Sequence, residues 1–253
     1  MRRSRGPPSG ESEGVAVSTI RQLALAAALA LSAVLSTGVA TGPIALAASL
    51  PTCRYDDVLT EHRATTDWRI SLLDPIYMLT RNYVPPQLTS VSNAGIQGSG
   101  RVRSVVLTDL ADMAAAARRA GAPLRVTSAY RSWSEQKYLY NREIAKYGER
   151  VGRESVARPG HSEHQLGTTI DFTSGGSSKS AWSYNDWANT AAGSWIKQNG
   201  WRYGFVLSYP SGRKGATCYR YEPWHYRYVG REIAAQVRAS GLTLREYLWR
   251  EYH

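Results

Sequence analysis

The chain contains only two cysteines, Cys53 and Cys218, near opposite ends of its polar portion. If joined, they oblige the start of that portion to lie beside the segment "CYRYEPWHYRYVG", whatever is built between them. Two cysteines in an exported chain ordinarily pair, so the choice between a bridge and two separate thiols depends on export. Closing so long a loop contributes about 4–5 kcal/mol in the chain-entropy account. The two form no CxxC knuckle, which argues against zinc held by thiolates.

The first 47 residues speak for export. Arg2, Arg3, Arg5 and Arg21 precede an uncharged stretch from Gln22 to Thr52, most apolar between Leu23 and Leu35, with small residues at Ala45 and Ala47. This pattern predicts a signal peptide cut after Ala47, or an uncleaved N-terminal anchor, over residues 1–47. The most apolar part falls short of the roughly 20 residues that span a bilayer. The expected location is extracytoplasmic, with membrane contact only through an uncleaved anchor.

The net charge of +11 draws a protein toward polyanions. The basic residues are scattered, however, as at Arg101 and Arg103, Arg118 and Arg119, or Arg213 and Lys214. Without a dense basic run or a nucleic-acid motif, the charge reads as a solvated surface, and no nucleic-acid partner is expected. A monomer is expected. The eight Trp and sixteen Tyr against two Phe suit a wet cleft, although most should simply pack.

Residues 48–70 read as an N-terminal ordering segment and 71–253 as one domain. "LLDPIYMLTRNYVPPQL" carries three prolines and should be extended and irregular. "VVLTDLADMAAAARRAGA" has apolar residues at helical spacing before Gly121. "PLRVTSAYR" reads as a buried strand, and "SWSEQKYLYNREIAKYG" as a helix capped by Ser132 or Ser134 and stopped at Gly148. "HQLGTTIDF" and "WRYGFVLSY" read as strands, "YNDWANTAAGSWIKQNG" as a helix, and the segment from Cys218 to Gly230 as a strand broken at Pro223. Two helices close the chain, the second capped by Thr243. The strands are too few and too unevenly spaced for a βαβ repeat, which predicts an α+β fold with a small antiparallel sheet flanked by helices.

Five histidines are present: His62, His161, His164, His225 and His253. His164 has Asp171 seven residues on, and His225 has Glu222 three residues before it. Where thiolates are absent, zinc takes imidazole and carboxylate ligands, and catalytic sites leave one position for water. His164, Asp171 and His225 would make such a set, with Glu222 as an unligated base. On a regular strand residues 222 and 225 face opposite sides, so a bend at Pro223 would be needed to aim both at one point. Spacing alone leaves open a second reading, in which these are hydrogen-bonded His–acid pairs without a metal.

"SEHQLGTTID" (162–171) resembles the S-x-H-x-x-G-x-A-x-D signature of VanY-type D-alanyl-D-alanine carboxypeptidases of the M15 peptidase family. "EPWHYRYVG" (222–230) is similar to the second signature, E-x-W-H, and "SAYRSWSEQKYLY" (128–140) to the stretch that precedes both. Thr169 stands where the pattern has Ala, a change expected to do little harm. The resemblance implies a single zinc peptidase domain of the Hedgehog/D-Ala-D-Ala peptidase type over 71–253. It implies Zn2+ held by His164, Asp171 and His225, Glu222 as general base and then acid, and Arg131 opposing the oxyanion. It places Ser162, Gln136, Ser128, Tyr130 and Trp224 near the substrate. His161 is not a ligand in this pattern; it either lines the cleft or satisfies a local hydrogen bond, the second being the favoured expectation. The implied activity is exported, zinc-dependent removal of the terminal D-Ala from a peptidoglycan stem peptide. An endopeptidase and a non-catalytic wall-binding module are the alternatives.

Overall fold

Side-chain alternation along two central strands separates the packing face of the sheet from its chemical face. The computed structural model of the protein describes residues 49–253, so the leader expected at 1–47 lies outside the described residues. The strands are β1 (Val58–Leu59), β2 (Tyr77–Met78), β3 (Leu88–Ser90), β4 (Gln97–Gly98), β5 (Arg101–Arg103), β6 (Leu124–Ser128), β7 (Thr169–Ser174), β8 (Phe205–Leu207) and β9 (His225–Tyr228). The helices are α1 (Leu107–Arg119), α2 (Trp133–Ser155), α3 (Ala191–Asn199), α4 (Lys214–Thr217), α5 (Arg231–Ser240) and α6 (Leu244–Tyr252). The main sheet runs β4-β6-β7-β9-β8. Its pairings are antiparallel except at the β4–β6 edge, where two residues pair in parallel. The expected α+β architecture is present, and its sheet is mixed rather than wholly antiparallel.

On β7, Ile170 and Phe172 face a core shared with Tyr226 and Tyr228 of β9 and Phe205 of β8. Helix α1 covers this face with Leu110, Met113, Ala114 and Ala117, and α3 with Ala192 and Ile196. The intervening residues, Thr169 and Asp171 on β7 and His225 and Arg227 on β9, point the other way. They are cross-strand partners, Thr169 with Arg227 and Asp171 with His225. A one-residue slip would exchange the faces and expose side chains whose burial contributes about 1.5–3 kcal/mol each, so the core enforces the register of the chemical face. A second apolar group joins Leu72 and Val229 to Ile233 and Val237 of α5 and Leu244 and Leu248 of α6.

Local chemistry explains most element boundaries. Ser132 and Glu135 form a capping box at the start of α2, and Thr243 and Glu246 another at the start of α6. The helical run that opens α2 at Trp133 stops at Gly148 as expected. Gly148 takes φ 77° and ψ 164°, a left-handed value that suits glycine, and helix resumes on its far side to Ser155. The helix expected over 184–200 begins only at Ala191, because the side chains of Asp186 and Thr190 cap backbone amides and divide the segment into a 3-10 turn and α3.

Three strand expectations are shortened, the one over 201–209 to β8 because Gly200–Tyr203 form a 3-10 turn. His164 lies on a 3-10 turn, Glu163–Leu166, and β7 starts only at Thr169. Gly167, at φ 72°, turns the chain between them, and a Cβ there would come within 2.9 Å of Pro85. Likewise β9 starts at His225, because the residues before it turn through Pro223: the amide of Glu222 bonds the Tyr209 carbonyl at 3.1 Å and that of His225 bonds the Glu222 carbonyl at 3.1 Å. Cys53 and Cys218 are disulfide-bonded, with Cα atoms 5.4 Å apart, so the start of the described chain is tied to the segment leading into this turn.

Candidate metal centre and active-site cleft

Three elements converge on the chemical face of the sheet. Asp171 comes from β7, His225 from the first position of β9, and His164 from the 3-10 turn before β7. One potential ligand atom from each lies within 4.8 Å of the others. The Nε2 of His164 is 3.3 Å from Oδ2 of Asp171, and the Nδ1 of His225 is 3.2 Å from its Oδ1. The imidazole rings stand nearly perpendicular, with centroids 5.0 Å apart. All three side chains are buried.

Hydrogen bonds decide which nitrogens are available. The Nδ1 of His164 donates to the Ala129 carbonyl at 2.6 Å, and the Nε2 of His225 donates to the Glu163 carboxylate at 2.9 Å. Both partners are acceptors only, so the remaining nitrogens, Nε2 of His164 and Nδ1 of His225, point their lone pairs inward when the rings are neutral. The Nε2 of His164 and Oδ1 of Asp171 are buried without a hydrogen-bond partner among the described residues. Such orphaned groups cost about 1–3 kcal/mol each, and a divalent cation between them would remove that cost. Two imidazoles and a carboxylate fit zinc, with one position left for water.

The electrostatics match a site built around a cation. Burial, and next the Arg131 guanidinium, lower the His164 imidazole to about 4. Burial alone would raise Asp171, but the adjacent His164 and His225 imidazoles hold it well below the usual carboxylate range. Burial would lower His225, yet the adjacent Asp171 and Glu163 carboxylates push it up to about 10.

Glu222 stands beside this cluster, its Oε2 3.6 Å from Nδ1 of His225. The turn at Pro223 aims residues 222 and 225 at one point. Burial raises the Glu222 carboxyl to about 7, the range in which a carboxylate exchanges protons at neutral pH. Arg131 approaches from the other side. Its Nη1 is 3.5 Å from Asp171 and donates to Ser128 Oγ at 2.8 Å, while its Nε donates to Gln136 Oε1 at 2.9 Å.

These groups open onto a cleft of about 640 Å³ whose lining includes Ser128, Arg131, Ser162, Glu222 and Trp224. Trp224 meets Trp182 edge to face, with centroids 6.0 Å apart. Two further residues expected near the substrate have partners of their own beside Arg131. Gln136 is fully buried behind Arg131, where its amide also donates to the Ala157 carbonyl at 2.7 Å. The ladder is irregular between Val126 and Ser128, and the Tyr130 ring packs against Arg101. His161 is buried away from the cleft, bonded to the Asp74 carbonyl at 2.7 Å and Asp57 at 3.0 Å. Thr169 adds a buried hydroxyl without a partner.

Glu163 received no role from the sequence. Its only local signal is an acidic residue placed immediately before a ligand and followed by an apolar strand. Its partners, Ser208, His225 and Arg227, are far away in the chain.

A mixed α+β domain with a two-histidine, one-carboxylate cradle and an adjacent glutamate has the ligand set and proton acceptor that a metallopeptidase needs. The VanY family profile, described as D-alanyl-D-alanine carboxypeptidase, matches residues 99–231, and the chain belongs to this family. The Bacillus subtilis (strain 168) protein YodJ is 36% identical over 184 residues, which are 70% of this chain and 66% of that protein. The match thus spans just under two thirds of that relative. Among solved structures, the LdcB LD-carboxypeptidase superposes with a TM-score of 0.65 at 32% identity, over 76% of this chain and 94% of that one. A vancomycin-resistance D,D-pentapeptidase VanY variant in complex with Zn(II) superposes with a TM-score of 0.61 at 30% identity, over 72% and 99% of the two chains.

Proposed function

We propose that this protein is an exported zinc-dependent carboxypeptidase that removes the terminal D-alanine from peptidoglycan stem peptides. The observation that carries this reading is the convergence of His164, Asp171 and His225 within 4.8 Å, with two of their polar atoms orphaned and Glu222 alongside. When bound, zinc supplies Lewis-acid polarisation and lowers the pKa of water from 15.7 toward about 7. Glu222 takes the proton of the attacking water and returns it to the nitrogen of the departing residue. Arg131, held by Ser128 and Gln136, opposes the negative charge that grows on the scissile carbonyl oxygen. Loss of one such donor costs about 3–4 kcal/mol of transition-state stabilisation. Ser162 and Trp224 line the approach to these groups.

The likeness to an LD-carboxypeptidase supports a second reading, release of D-alanine from an L,D-bond in a stem peptide already one residue shorter. One experiment separates the two. Purified protein is incubated with a pentapeptide ending in D-Ala-D-Ala and with the corresponding tetrapeptide, with and without chelator, and the released amino acids are identified. Release from the pentapeptide alone supports the D,D reading, and release from the tetrapeptide alone replaces it. Undiminished release after complete metal removal rejects both.

A further inference from the structure

Glu163 occupies an expensive position. It is buried on the 3-10 turn, outside the residues that line the cleft. Its Oε2 accepts from Ser208 Oγ at 2.6 Å and from His225 Nε2 at 2.9 Å, and its Oε1 accepts from Arg227 Nη1 at 3.1 Å. Arg227 is fully buried too, and its Nη2 donates to the carbonyls of Trp68 at 2.9 Å and Ser71 at 2.7 Å. The N-terminal segment thus holds the arginine, the arginine holds the carboxylate, and the carboxylate holds one histidine.

Stability alone is a poor reason for this arrangement, because a well-packed apolar pair commonly serves a fold as well as a buried ion pair does. What no apolar residue can do is accept the Nε2 proton of His225. With that proton fixed on Nε2, the lone pair of Nδ1 faces Asp171 and His164. The other histidine meets the same need through the Ala129 carbonyl. At His225 the acceptor comes from the residue adjacent to His164, so a single 3-10 turn supplies one ligand and the group that orients the other.

We propose that Glu163 is a positioning residue of the metal centre: it fixes the tautomer and ring orientation of His225 and strengthens Nδ1 as a donor to zinc. This rests on the zinc reading above and adds to it a residue that never touches metal or substrate. Outer partners of ligating histidines typically change metal affinity 10–100-fold when removed.

The test measures zinc affinity by chelator competition, and cobalt absorption spectra, on metal-stripped wild-type protein and on the Glu163→Gln and Ser208→Ala variants. Thermal melts confirm that each variant is folded. The expected result is zinc binding weakened roughly tenfold or more in Glu163→Gln, a changed cobalt spectrum, and a smaller loss of affinity in Ser208→Ala. A folded Glu163→Gln variant with wild-type zinc affinity and cobalt spectrum overturns the proposal. If that variant does not fold, Ser208→Ala decides: unchanged affinity overturns the proposal and reduced affinity supports it. Wild-type protein that takes up no zinc refutes the metal centre itself, and this role with it. That outcome is distinguished from failure of the Glu163 role alone by the wild-type measurement.

Discussion

Asp171 and His225 are direct cross-strand partners on β7 and β9, and the carboxylate meets Nδ1 of the imidazole at 3.2 Å. The ladder that pairs them is set by Ile170, Phe172 and Tyr226 on its opposite face, so core packing delivers two of the three candidate ligands in register. A site assembled by folding binds zinc in the native state in preference to the unfolded chain, and zinc should therefore stabilise the protein. At one hundred times the dissociation constant the gain is about 2.7 kcal/mol, which raises the melting temperature of a domain this size by about 5–10 °C. Calorimetry of metal-stripped protein with added zinc should show the rise, and Asp171→Asn should abolish it. An equal rise in that variant would move the zinc site elsewhere.

Glu222 is the group whose loss should separate binding from turnover. Its carboxylate approaches His225 only to 3.6 Å and is not one of the three converging residues. Glu222→Gln keeps size and shape while removing the proton acceptor. Turnover should fall by about 10²–10⁴-fold, with zinc content still near one equivalent. A Gln variant that retains most of its turnover would assign the base to another residue.

The candidate site was far more legible in the sequence than the route by which the fold builds it. His164, Asp171, His225 and Glu222 are scarce residue types in short motifs, and each motif survives as a local unit. Ser132 and Thr243 were readable as caps because an N-cap needs only a hydroxyl and the next few amides. The turn carrying His164 was not, since it depends on Gly167 packing against Pro85 and Arg103. The packing of the Tyr130 ring against Arg101 was not readable from spacing. Gln136 and Glu163 act on other side chains, and those contacts exist only once distant segments have met.

The disulfide should matter through the unfolded chain. Cys53 and Cys218 are 165 positions apart, and cross-linking them removes about 5 kcal/mol of chain entropy from the unfolded state. Replacing both with serine should lower the melting temperature by on the order of 10–20 °C. The bridge also anchors the segment that leads to Glu222, so turnover at moderate temperature should fall before the fold is lost. Thermal melts and initial rates on the double variant test both effects. A change of only one or two degrees would mean that Arg245, whose Nη2 donates to the Pro51 carbonyl at 3.0 Å, secures the same segment without the bridge.

His161 should give the stability curve a slope near neutral pH. Burial lowers its pKa below the ordinary 6.5, and the neighbouring Arg158 charge acts in the same direction, against the raising effects of the Asp74 carbonyl and the Asp57 carboxylate. In the unfolded chain the ring takes up its proton near 6.5, while in the folded protein it resists. Between the two values the unfolded state therefore binds more protons, and acidification favours it. This contribution is complete above pH 6.5 and is lost as the pH falls toward the folded-state value. Asp57 is lowered by its hydrogen bond to His161, so its own contribution is present above 3.8 and is lost only in stronger acid. Denaturant midpoints measured from pH 8 to 5 should decline more steeply for the wild type than for His161→Gln, which keeps a hydrogen-bonding side chain and cannot titrate. Parallel curves would show that His161 folds with an unshifted proton affinity, and the strap formed by Asp57, Asp74 and Arg158 would then have no part in acid sensitivity.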